Sequence, residues 1–356
     1  MILPWHQEIW SRLTENLERL PHSVLMAGPA GGGKRVLAEA LAQFVLCEGE
    51  TADRLACGKC PSCSWLAAGN HPDFRLLVPE GDAREDEAAA EGLSEPVAAG
   101  KKRRASNQIV IDQVRALGDF VAIGTHRRGR RVVIVDPAEA MNTHTANALL
   151  KMLEEPTPST LFLMISNAPA KLLPTIRSRC QVITFAKPDA QLARNWLAAR
   201  QGEDDVDTLL SFVGGMPLAA AEFAVGGAKE RRHQFVTALA AIDRGDPLEI
   251  AATWEGWLTR KGDSDFVPRL STLVAWAQKW LFDVALCKLS GRVVFYPDAK
   301  ADLKRFARAG TACAFLACYN ELSQMQLVAE HPVNARLFLE DMLMRCARTV
   351  SAGVSK

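Results

Sequence analysis

Apolar residues recur every three or four positions from His6 to Leu20, at Ile9, Trp10, Leu13, Leu17 and Leu20, which predicts an amphipathic helix. The pattern then changes. Ser23-Val-Leu-Met-Ala27 is a short continuous apolar run ending in glycines, and Val36 to Leu46 returns to helical spacing. Further strands are expected at 74–78, 131–136 and 161–166; order resumes at 109–115 and leads into a helix through about Ala122, and a second helix covers 143–153, stopped by Glu154-Glu155-Pro156. Alternating strands and helices over residues 1–188 predict a parallel α/β domain of three layers. Beyond 189 the strand signals fade. Amphipathic helices follow at 189–201, 206–213, 217–225, 229–243, 247–260, 266–289, 299–308, 310–329 and 333–350, with Gly214-Gly215-Met216-Pro217 breaking the series. A small helical domain over 189–229 and a larger all-α domain over 230–356 are the expected divisions.

One segment departs from this order. Residues 80–106 form an acidic, alanine-rich stretch ending in Lys101-Lys102-Arg103-Arg104, too poor in large apolar residues to build a core. It reads as a mobile surface insertion. The chain as a whole, 356 residues with 48% hydrophobic residues and a formal net charge of +1, has ample material for burial. It has no bulk attraction for nucleic acid, so any such contact needs a local patch. Without an 18-residue apolar run or a signal-peptide layout, a cytoplasmic location is expected.

Four of the nine cysteines fall within residues 47–63, as Cys47, Cys57, Cys60 and Cys63. The odd total and the clustering oppose a secreted disulfide framework. Four thiolates so close together suit tetrahedral Zn²⁺ with no position left for water, which makes a structural metal the expectation over a redox C-x-x-C pair. His71 is a further candidate ligand, although His-Pro-Asp reads better as a turn.

The glycine run at 28–35, Gly-Pro-Ala-Gly-Gly-Gly-Lys-Arg, follows a strand and opens a helix, which is the setting of a phosphate-binding loop. Gly28, Gly33 and Lys34 fit the pattern. Arg35 stands where a Ser or Thr hydroxyl would hold Mg²⁺, and a guanidinium offers a metal no oxygen. Asp136 ends the next buried strand, yet Pro137 follows it where a second carboxylate would polarise water. Glu139 reads as a helix-start or surface acid. Binding of ATP or ADP stays open; efficient hydrolysis is not expected. Ser178-Arg179-Cys180, on chemistry alone, reads as surface. The basic residues at 101–104 and 126–131 leave a zinc-dependent nucleic-acid-binding module as a competing reading.

The ordered set GPAGGGKR, the four-cysteine insert, HPDF at 71–74, IVIDQVR at 109–115, NALLKMLEEP at 147–156 and IRSRC at 176–180 resembles the bacterial DNA polymerase III clamp-loader subunits, which are AAA+ proteins. The resemblance covers about the first 225 residues, and its delta prime branch fits better than its tau/gamma branch. Tau/gamma subunits keep a hydroxyl after the loop lysine, a second carboxylate at the strand end, and an arginine where this chain has Leu218. The resemblance implies an AAA+ domain with a zinc module, a helical lid and a C-terminal collar. It also implies a largely non-hydrolysing scaffold working with tau/gamma and delta subunits, the sliding clamp and primed DNA. Arg179 would then be an arginine finger, aimed by Ser178 and Cys180 at ATP on a neighbour. A tau/gamma-like motor ATPase is the alternative.

Overall fold

The computed structural model describes residues 2–15, 17–50, 54–79, 107–122, 130–259 and 266–351. The stretch 80–106, with its basic run, and residues 126–129 lie outside them. The chain divides into two compact units, Met1–Asp189 and Ala190–Lys356.

The first unit is built on β1 (Ser23–Ala27), β2 (Phe74–Leu77), β3 (Arg131–Val135), β4 (Thr160–Ser166) and β5 (Gln181–Thr184), with α1 (Gln7–Thr14), α2 (Lys34–Leu46), α3 (Pro61–Ala67), α4 (Ile111–Ala122), α5 (Thr143–Glu154) and α6 (Pro174–Arg177). The strands are parallel in the order β2-β3-β4-β1-β5. Residues of β1, β3 and β4 are buried throughout, as a parallel sheet covered on both faces requires. The two-residue period sorts them. Leu25, Val133 and Met164 face the core shared with α4 and α5, whereas Met26, Ile134 and Ile165 face the core shared with α1 and α2. This is the expected three-layer α/β fold.

Local differences from the sequence reading have simple causes. The first helix ends at Thr14, and a 3-10 turn at Leu17–Arg19 carries the later apolar residues. Helix α3 was not expected; Pro61 takes its first turn and the Cys60 sulfur accepts from the Cys63 N–H as its cap. Strand β5 also escaped detection. It lies at a sheet edge, and Gln-Val-Ile-Thr is mostly exposed, so no apolar run marks it.

The second unit contains α7 (Ala190–Gln201), α8 (Val206–Phe212), α9 (Pro217–Phe223), α10 (Ala228–Ala240), α11 (Pro247–Trp257), α12 (Leu270–Ser290), α13 (Lys300–Ala309), α14 (Ala312–Val328) and α15 (Ala335–Ser351). A small core joins Leu197, Leu209 and Ala220 of α7 to α9. A larger one is aromatic at its centre, where Trp254 stacks on Phe235 at 4.7 Å between ring centres. Phe212 at the end of α8 enters this larger core, and the Lys279 ammonium donates to its carbonyl at 2.8 Å. Burial, and then the charge of Arg232, pushes the Lys279 pKa down to about 8.

Asp283 on α12 has no exposed surface, and its carboxylate accepts the N–H groups of Val294, Phe295 and Tyr296 at 2.9, 2.7 and 2.7 Å. Asp283→Ala would leave three backbone donors, the buried Tyr296 N–H among them, without their acceptor. Urea denaturation is expected to show a loss of about 3 kcal/mol or more, and an unchanged midpoint would contradict the assigned role.

Candidate phosphate loop and metal centre

Strand β1 runs into the glycine loop at the C-terminal edge of the sheet, and α2 begins at Lys34. Gly31 and Gly33 have φ of 77° and 90°, a left-handed conformation that side chains other than glycine resist. A Cβ on Gly28 would lie 2.4 Å from the Phe185 carbonyl oxygen, so this position also requires glycine. The Trp5 indole N–H donates to the Gly32 carbonyl at 2.9 Å, and His6 stands edge-on to Phe185 at 5.1 Å. Burial, reinforced by the Lys34 charge, lowers the His6 pKa to about 4.

Lys34 is only 3% exposed. Its ammonium donates to the carbonyls of Gly28 and Pro29 at 2.8 and 2.6 Å and to Asn167 Oδ1 at 2.8 Å. The cation that would meet phosphate is thus engaged by the loop itself and by the end of β4. Burial lowers its pKa, opposed by the charges of Asp136 and Glu139.

Arg35 Nε lies 2.9 Å from Glu39 Oε1 and 3.9 Å from Asp136 Oδ2. A fixed cation therefore faces the carboxylate that ends β3. Burial raises the Asp136 pKa to about 6 despite Arg35 and Lys34, both of which favour its charged form. Glu139, read from sequence as a helix-start or surface acid, lies in the first turn of a 3-10 helix at Ala138–Ala140. Its Oε1 also accepts the N–H groups of Asn167 and Ala168 at 2.9 and 3.1 Å, tying the segment after β3 to the segment after β4. Spacing gave no sign of this, nor of Asn167 as a partner for Lys34.

Ser178, Arg179 and Cys180 follow α6. Cys180 is buried, with its sulfur 2.9 Å from Ser23 Oγ and 3.7 Å from Met164 Sδ. Ser178 Oγ donates to the Thr175 carbonyl at 3.0 Å. Arg179 is exposed; Nη1 donates to the same carbonyl at 3.0 Å and Nη2 meets Glu154 Oε1 at 2.6 Å.

The four sulfurs of Cys47, Cys57, Cys60 and Cys63 all lie within 4.8 Å of one another, with Cys47–Cys60 and Cys57–Cys63 both at 4.0 Å. A tetrahedron with Zn–S bonds of about 2.3 Å has edges of about 3.8 Å, so the donor set fits such a metal. Backbone N–H groups point at the sulfurs as thiolates require: Cys57 to Cys47 at 3.2 Å, and Glu48 and Cys63 to Cys60 at 3.4 Å each. Burial opposes the Cys60 thiolate, yet these donors bring its pKa down to about 6. Gly49 is needed here, because a Cβ would lie 2.5 Å from Cys57 Sγ. His71 is not among the ligands. Its Nε2–H donates to Ser62 Oγ at 2.7 Å, while Nδ1 accepts from the Asp73 N–H at 3.0 Å. Ser62 in turn donates to the Leu46 carbonyl at 2.6 Å, fixing α3 against the end of α2.

A family model described as DNA polymerase III, delta subunit, matches residues 5–189. The Pseudomonas aeruginosa DNA polymerase III subunit delta' is 41% identical over 66% of this chain, an alignment spanning 65% of that protein's own length. The Haemophilus influenzae protein of the same name is 30% identical, covering 98% of both chains, and that of Escherichia coli K12 is 27% identical, covering 99% of this chain and 97% of its own. Among solved structures, a gamma subunit-related protein of Thermotoga maritima overlays with a TM-score of 0.44 at 16% identity, covering 96% of this chain and 99% of that one. Among the described residues, no single helix is long and apolar enough to cross a membrane.

Two measurements bear on the site. The folded Asp136 pKa of about 6 lies above the ordinary 3.8, so its contribution to stability is full below pH 3.8 and is lost as pH rises through 6. Asp136→Asn is therefore expected to stabilise the protein by about 1–3 kcal/mol at pH 7.5, with the gain vanishing near pH 4; equal gains at both pH values in urea titrations would contradict this origin. For the cysteines, elemental analysis should find one zinc-type ion per chain. Chelation should lower the melting temperature by several degrees, and Cys60→Ser should abolish that response.

Proposed function

The chain belongs to the DNA polymerase III delta prime family of clamp-loader subunits, and on that premise we propose that it is a largely non-hydrolysing AAA+ scaffold. Its place is within the DNA polymerase III clamp-loader complex. There it presents Arg179 to ATP on a neighbouring subunit and helps load the sliding clamp onto primed DNA. Tau/gamma and delta subunits are the partners this reading assigns, in the cytoplasm. Residues 189–229 serve as the helical lid and 230–356 as the collar through which the subunits assemble.

The observation that carries the reading is the Arg35–Asp136 pair. Phosphoryl transfer depends on a metal bridging the phosphates, held by a hydroxyl and a carboxylate. In this chain the hydroxyl's position carries a guanidinium, 3.9 Å from that carboxylate. Pro137 supplies no second carboxylate to orient water. Lys34, engaged with Gly28, Pro29 and Asn167, supports a loop kept for its shape, with ATP or ADP as an optional occupant. Zn²⁺ held by Cys47, Cys57, Cys60 and Cys63 is structural, since four thiolates leave no open position for chemistry.

Arg179 suits action in trans because it is exposed on a turn that the buried Cys180 anchors to β1 and β4. A guanidinium there can stabilise charge developing on γ-phosphoryl oxygens. Arg179→Ala is expected to lower the DNA-stimulated ATPase of the reconstituted complex by roughly fivefold or more, while the subunit still folds and assembles. Wild-type turnover and clamp loading by the complex carrying this variant would overturn the assignment.

A further inference from the structure

We propose that Glu154 is a positioning residue for Arg179, holding its guanidinium in the orientation from which it meets the neighbour's nucleotide. The inference rests on the reading of Arg179 as a residue that acts in trans. Glu154 is the last residue of α5, and Arg179 lies on the turn after α6. The two are 25 positions apart in sequence, yet Nη2 and Oε1 stand 2.6 Å apart. The opposite side of the guanidinium is held separately, by Nη1 donating to the Thr175 carbonyl at 3.0 Å and to Ser178 Oγ at 3.4 Å. Two elements thus grip the side chain from two directions.

A pair this exposed, with side chains 36% and 47% accessible, adds little to stability. Its effect is on conformation. An arginine on an exposed turn otherwise samples many rotamers, and each must be relinquished when the guanidinium engages an oxyanion. Prior fixation removes that cost at the step where charge develops. A guanidinium has five N–H groups, so those not directed at Glu154, Thr175 and Ser178 stay available to phosphoryl oxygens. Glu154 can keep its bond while Arg179 acts. The carboxylate also offsets the arginine's charge before the partner docks, which disfavours contacts with other anions on the way.

The test is steady-state ATPase of the reconstituted, DNA-stimulated complex carrying single and double variants of this chain, with melting curves to show that each subunit folds. Glu154→Ala is expected to lower kcat by roughly twofold to fivefold with KM unchanged. Glu154→Gln, which keeps an acceptor oxygen at the same reach, should restore most of the rate. Glu154→Asp, one methylene shorter, should behave like Ala. In the Arg179→Ala background, Glu154→Ala should have no further effect, because its influence passes through the arginine. Full kcat for Glu154→Ala, or the same proportional loss with and without Arg179, would overturn the proposal while leaving Arg179 in its role. Wild-type turnover by Arg179→Ala alone would overturn both.

Discussion

An ammonium group almost wholly removed from water must be surrounded by acceptors, and the arrangement around Lys34 sets the geometry at the end of the sheet. Its three partners come from the glycine loop and from the residue after β4. The loop is thereby closed on its own lysine, and β1 and β4 are joined at their C-terminal ends. Glu139 adds a second tie by accepting the N–H groups of Asn167 and Ala168. Asp136, Arg35 and Glu39 complete a network in which two cations, Lys34 and Arg35, face three carboxylates. Such a network is stable without a phosphate, which separates preservation of the loop's shape from preservation of its chemistry.

The parts of the fold legible in the sequence are those where one physical demand dominates. Strands β1, β3 and β4 are buried on both faces, so they read as unbroken apolar runs. The helices of the second unit carry the three-to-four-residue period of surfaces packed on a core. The clustering of the four cysteines was legible from spacing, because turns between close ligands need short intervals and permissive residues. Strand β5 was not, since an edge strand open to solvent has no reason to be apolar. Helix α3 was hidden by its cap, a cysteine whose more evident role is as a metal ligand.

The least legible contacts join residues distant in sequence. Nothing in the neighbourhood of Glu139 announces that its carboxylate meets the backbone after β4, and nothing near Glu154 points to Arg179. These pairings follow from the sheet order, in which β1 is flanked by β4 and β5 and the turn after α6 returns beside β1. A single sequence shows the charges but not the topology that brings them together. Substitutions within a motif, such as Arg35 for a hydroxyl, are the opposite case. The known role of the position makes the replacement informative before any coordinates are seen.

The helix that starts at the glycine loop also ends at the cysteines, with Gly33 before its first turn and Cys47 after its last. Over 13 residues this is a strut of roughly 20 Å. Its partial negative pole points toward a cluster of sulfurs that must themselves ionise to bind a metal. Without a divalent cation, thiolate and helix end repel each other, and the far end of the strut is under electrostatic pressure to fray. With the cation bound, that pressure is relieved, and the helix becomes a rigid spacer whose fixed end steadies the phosphate loop at the other. A metal held by these cysteines, taking no part in chemistry, would thus bear on the shape of the phosphate loop from the far end of the helix.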